Sequence, residues 1–120
     1  MLQKLRPPRV RKIPTPNVFK FIDANAIVAG IEEVVWTPAT GKIIRLLGWH
    51  LSSSAAAALE FQDSAASGTV IAQTPLLSAA EVHDSPNLGR GVKLASADNT
   101  LKLDVTANST ISGMVFGVEE

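Results

Sequence analysis

The chain is 120 residues long, room for one modest domain. Cys is absent, which excludes a disulfide framework, a thiolate zinc site, an iron–sulfur cluster and a cysteine nucleophile. Eleven basic and eleven acidic residues cancel, so no overall charge steers the whole molecule toward nucleic acid or membrane.

That balance hides a division. Residues 1–20 carry Lys4, Arg6, Arg9, Arg11, Lys12 and Lys20 with no acid, and the remaining hundred residues carry five basic side chains against eleven acidic ones. Pro7, Pro8, Pro14 and Pro16 crowd the same beginning. Proline fixes φ, removes a donor and pushes its predecessor to extended geometry, so residues 1–16 are expected as an extended basic arm and residues 17–120 as the domain. The start is basic, but no apolar stretch follows it as in a secretory signal, and no apolar run reaches the ~18–20 residues of a spanning helix. A soluble chain is expected, used or assembled where it is made.

Three readings suit the arm: a solvated tail, a segment that orders on a partner, or a nucleic-acid arm. Leu2, Leu5, Val10 and Ile13 interleave with the cations, which a tail kept only for solubility does not need. Leu5, Arg6, Arg9, Val10, Arg11, Lys12 and Ile13 are therefore the candidate partner-binding residues. Nucleic acid ranks last, because no aromatic precedes Phe19 to stack on bases and the rest of the chain is acidic.

From residue 17 onward, short β-like runs alternate with turn signals. Residues 18–22 (VFKFI) are β-branched and aromatic. Residues 34–37 (VVWT) follow and stop at Pro38-Ala39-Thr40-Gly41, expected as a hairpin-type connection. Residues 42–51 are apolar on both alternating faces, which predicts a central strand covered on both sides. The four alanines in residues 52–59 favour helix, but the span is too short for a stable one, and a strand edge or small-residue loop is expected. Residues 59–62 alternate and meet the small, polar turn 63–68; residues 69–73 form another strand, closed by Pro75. Residues 74–91 read as a long loop. Residues 92–94, 101–106 and 111–118 complete the set, with Leu101, Leu103 and Val105 alternating against Lys102, Asp104 and Thr106. Six to eight strands predict an all-β fold: a small antiparallel β-sandwich, a jelly roll or a small barrel.

Little chemistry emerges. His50 and His83 lack the carboxylate spacing of a metal site. A Ser/His/Asp set assembled from residues 52–54, His83 and Asp84 lacks the Gly-x-Ser-x-Gly elbow. Gly89-Arg90-Gly91 is too short for a phosphate loop, and the acids show no EF-hand spacing. Asn108-Ser109-Thr110 fits a glycosylation pattern but reads as a turn. Trp36 or Trp49 would serve a sugar-binding face, though Trp49 is expected in the core. No catalytic residue, cofactor or metal is expected.

Residues 41–54 (GKIIRLLGWHLSSS), 59–63 (LEFQD) before Gly68-Thr69, 99–105 (NTLKLDV) and 111–119 (ISGMVFGVE) resemble small structural proteins of tailed bacteriophages, in particular head decoration (cement) proteins. The likeness runs from Trp36 onward, about 85 of the 120 residues. It implies a non-enzymatic viral structural protein on the virion, at the capsid surface, made in the host cytoplasm. It also implies a homotrimer whose partners are the major capsid protein and neighbouring copies, with no membrane involved and an arm that extends along the shell or into a neighbour. The strong positive charge of the arm departs from any fixed motif of such proteins. Two other readings stand beside it: a β recognition module for glycan or receptor on a virion or cell surface, and a head–tail or tail component.

Overall fold

The computed structural model describes residues 14–65 and 69–120. The β-branched and aromatic runs become strands, each laying alternate side chains on a shared interior. Nine are present among the described residues: β1 (Val18–Ile27), β2 (Glu33–Trp36), β3 (Ile44–Ser53), β4 (Leu59–Asp63), β5 (Val70–Gln73), β6 (Val82–Asp84), β7 (Val92–Lys93), β8 (Leu101–Val105) and β9 (Ser109–Glu119). No helix occurs among these residues. The all-β expectation holds, and the strands form two antiparallel sheets in a β-sandwich-like arrangement.

The first sheet has the order β1-β9-β3-β6, and β7 pairs with β3 further along the same edge. The second has the order β2-β8-β4-β5. Strand alternation then sorts the residues. Ile22, Ile27, Ile44, Leu46, Trp49, Leu51, Ile111 and Val115 of the first sheet are buried, as are Trp36, Leu59, Phe61, Leu101, Leu103 and Val105 of the second. Trp49 meets Phe61 across the interior with ring centroids 4.6 Å apart. Each large side chain so buried contributes about 1.5–3 kcal/mol.

Both tryptophans are core residues, which removes them as a sugar-binding face. A buried indole N–H needs an acceptor. That of Trp49 donates to His83 Nδ1 at 3.1 Å, and that of Trp36 to Glu119 Oε1 at 2.9 Å.

Four sequence expectations change. The Pro38–Gly41 segment is no hairpin, because β2 and β3 lie in different sheets; Gly41 instead turns at φ +80° and donates its N–H to Asp98 Oδ1 at 2.6 Å. β3 is central, but only one of its faces lies in the core: a register shift between Leu46 and Gly48 brings both Gly48 and Trp49 to buried positions and leaves His50 exposed. β1 runs five residues past the expected end, because one extra residue between Ile22 and Asn25, with Ala24 at φ 49°, lets the strand resume pairing. The loop 74–91 contains β6, whose three residues carry too short a period to read. Residues 54–58 form no helix, as expected; Ala57 bridges to Leu77.

Candidate interaction surface

The seven candidate partner-binding residues, Leu5, Arg6, Arg9, Val10, Arg11, Lys12 and Ile13, lie outside the described residues. What the structure does give is the surface of the domain that follows them. Among the described residues no enclosed pocket opens, and no three His, Asp or Glu side chains stand together as a metal site.

The paper triad does not assemble. His83 and Asp84 are neighbours in a strand, so their side chains point to opposite faces of the sheet. His83 turns inward and accepts from Trp49, while Asp84 turns outward and contacts His50 Nδ1 through Oδ1. Asn108 is engaged too, its Oδ1 accepting the Ala29 N–H at 2.9 Å.

The outer face of the first sheet is the unusual feature. An antiparallel sheet with one face in solvent ordinarily makes that face polar. Here the register sets out two rows that begin apolar at β1 and β9. In the first, Phe21 lies opposite Met114, Met114 opposite His50, and His50 opposite Asp84. In the second, Phe19 lies opposite Phe116 and Phe116 opposite Gly48. Phe21 is 78 % exposed and Phe19 49 %. The Phe19 and Phe116 rings sit 6.1 Å apart and tilted by 34°. Gly48 makes room for this: a Cβ there would come within 2.7 Å of Phe116 Cζ and 2.5 Å of Ser85 Oγ, so the ring lies over the glycine. Phe19 and Phe21 are thus exposed rings on one face, with Met114 and Phe116 half-buried beside them.

A polar border closes one side. Val118, Arg45 and Lys93 form the next row, and Glu120 reaches Arg45 Nη2 at 3.4 Å and Lys93 Nζ at 3.7 Å, with a closer contact to Arg45 Nε. The hydrogen bond from Arg45 holds the Glu120 carboxyl below its ordinary 4.5; burial opposes this, and the charges of Arg45 and Lys93 assist it. The same hydrogen bond raises the Arg45 guanidinium. A lowered carboxylate stabilises the fold above its unfolded pKa and loses that contribution as pH falls through the folded value. The stability difference between the wild type and Glu120→Gln should therefore be flat above about pH 5 and shrink below pH 4.5. Urea titrations at several pH values measure it, and the difference is small because the pair is open to solvent.

The outer face of the second sheet differs in character. Glu60 lies directly opposite Asp104, two like charges in one cross-strand pair, and Glu32 sits 3.5 Å from Lys102. Compared with known protein families, curated proteins and solved structures, the chain matches none. The surface itself is what speaks for function. Its key residues, Phe19 and Phe21, alternate with Lys20 in the sequence, a period-two signal that two aromatics share a face. That this face would be the outer one was not readable, because Val18 and Ile22 are equally apolar.

Proposed function

We propose that the protein is a non-enzymatic virion component, a decoration (cement) protein that binds the outer surface of a phage head and reinforces it through its arm and through contacts between copies. The observation that carries this reading is the pair of exposed rings Phe19 and Phe21, beside half-buried Met114 and Phe116, in the first strand after a basic, apolar-spotted sequence. Both are features of assembly.

The winding supports it. If β6 and β7 are two pieces of one interrupted edge strand, the chain passes between the sheets in the order of two interleaved Greek keys, which is a jelly roll. The phage-like stretches at residues 41–54 and 111–119 supply β3 and β9, the two inner strands of the first sheet. Arg6, Arg9 and Arg11 supply charge-assisted contacts with acidic groups of the capsid or of a neighbouring copy, and multivalency through a homotrimer multiplies a modest affinity per subunit.

The test mixes the purified chain with heads built from the capsid protein of its own virus, followed by sedimentation and a heat challenge. Binding should saturate and raise the temperature at which heads open. Arg6→Glu/Arg9→Glu/Arg11→Glu in the full chain should abolish co-sedimentation without moving the protein's own melting temperature. Full binding by the reversed-charge variant would sink the arm's role. Binding of the wild type to glycans and not to heads would point to the recognition module instead.

A further inference from the structure

We infer that the Phe19–Phe21–Met114–Phe116 face is the receptor for residues 2–13 of a second copy, so that copies join head to tail through their arms. The inference rests on the assembly reading above and names the contact between copies.

The arm's composition fits this face more closely than the acidic one. Proline-rich segments dock on aromatic-lined surfaces, and guanidinium groups stack on aromatic rings. As Asp84 meets His50 on the first sheet, so two carboxylates of the second sheet's outer face have partners: Asp104 Oδ1 accepts the Gly30 N–H at 3.0 Å, and Glu32 faces Lys102. That face also gives Leu2, Leu5, Val10 and Ile13 no ring to lie against.

Spacing adds a second correspondence. From Phe21 on β1 to Asp84 on β6 is three inter-strand steps, about 14 Å. In the arm, each of the four apolar side chains has an arginine four residues away: Leu2 with Arg6, Leu5 with Arg9, Val10 with Arg6, and Ile13 with Arg9. Four extended residues cover about 12–14 Å. An apolar side chain over Phe21 therefore brings an arginine to the Asp84 carboxylate, which is 76 % exposed and meets His50 through Oδ1.

The donor is a neighbour. Asn17 N–H donates to Gly117 O at 3.0 Å, so the chain is already laid along β9 when it enters β1. Pro16 keeps Thr15 out of helical geometry, and the mixing experiment below separates a neighbour's arm from the chain's own. A head-to-tail contact of this kind closes into a ring when the rotation allows.

The test is subunit mixing with full-length chains, read by light scattering at several concentrations. Phe21→Asp spoils the face and keeps the arm; its side chain is exposed, so the core is untouched, and circular dichroism checks the fold. Val10→Asp/Ile13→Asp spoils the arm and keeps the face. The wild type should be an oligomer and each variant alone a monomer of 12.7 kDa. Their equimolar mixture should form a heterodimer of twice that mass, because one good arm then meets one good face. A wild type that stays monomeric, a variant that still oligomerises alone, or a mixture that stays monomeric overturns the inference. Head binding of the wild type is read separately: a monomer that still binds heads refutes only this contact, and an oligomer that ignores heads refutes only the capsid reading.

Discussion

Gly113→Ala should cost about 4 kcal/mol or more, enough to leave the chain largely unfolded. Gly113 sits in β9, paired with Ile22 on one side and Leu51 on the other, so it is hemmed in by backbone in the middle of the first sheet. A Cβ at this position would lie 2.0 Å from the His50 carbonyl oxygen and 3.0 Å from Leu51 Cα. Neither atom belongs to a flexible side chain that can swing away. The backbone also holds φ at +132°, a value L side chains rarely adopt. The same register that needs this glycine lets β1 carry its extra residue near Ala24, so relief in one strand would disturb the other.

Gly30→Ala separates the two contributions. Gly30 has φ +84° with nothing within 4 Å of a Cβ, so it carries conformational cost alone, about 1–2 kcal/mol. Urea unfolding of both variants measures the contrast. A Gly113→Ala protein within 1 kcal/mol of the wild type would mean that β9 and β3 are spaced differently from the description above.

Asp63→Ala should cost about 3 kcal/mol, roughly 10 °C in melting temperature. Asp63 ends β4 and is only 7 % exposed. Its Oδ1 accepts the Ala65 N–H at 2.9 Å and Asn99 Nδ2 at 3.0 Å, and its Oδ2 accepts the Ala95 N–H at 2.7 Å. One carboxylate thus pins the turn after β4 and the segment between β7 and β8. Beside it, Ser64 N–H donates to Thr100 O at 3.1 Å, and Thr100 N–H returns a bond to Ser64 Oγ at 2.9 Å. Alanine removes three hydrogen bonds from partly buried donors to a carboxylate, and the loss of these charge-assisted bonds is the larger part of the cost. Asp63→Asn keeps the shape and one acceptor oxygen, so it should lose less, about 1–2 kcal/mol. Equal melting temperatures for the alanine variant and the wild type would show that the loop junction is held by something else.

Much of the fold was legible because its inner strands carry strong periods. Leu101, Leu103 and Val105 alternate with polar residues and became β8 with its apolar face inward. Residues 111–118 became the middle of β9. The illegible parts depend on partners distant in sequence. β6 is three residues whose only reason to be a strand is the free edge of β3, against which His50 meets Asp84. The second half of β1, Asp23 to Ile27, has little intrinsic β preference and is held by pairing with β9 beyond the bulge. Asp63 looked like any turn aspartate, because its acceptor role involves Ala95 and Asn99, more than thirty residues away. The candidate surface was half legible: the pairing of Phe19 with Phe21 is written in the alternation, whereas their outward direction is decided by the sheet that covers the opposite side.

The place of β9 has a consequence for how the molecule comes into being. This strand, the last of the nine, separates β1 from β3, so the first sheet has no middle until residues 109–119 have been synthesised. Translation must run nearly to Glu120 before the first strand finds a neighbour, and sheet closure therefore waits for the ribosome to finish with this region. Until then Phe19 and Phe21 travel beside an unpaired edge, the kind of surface on which wrong contacts form.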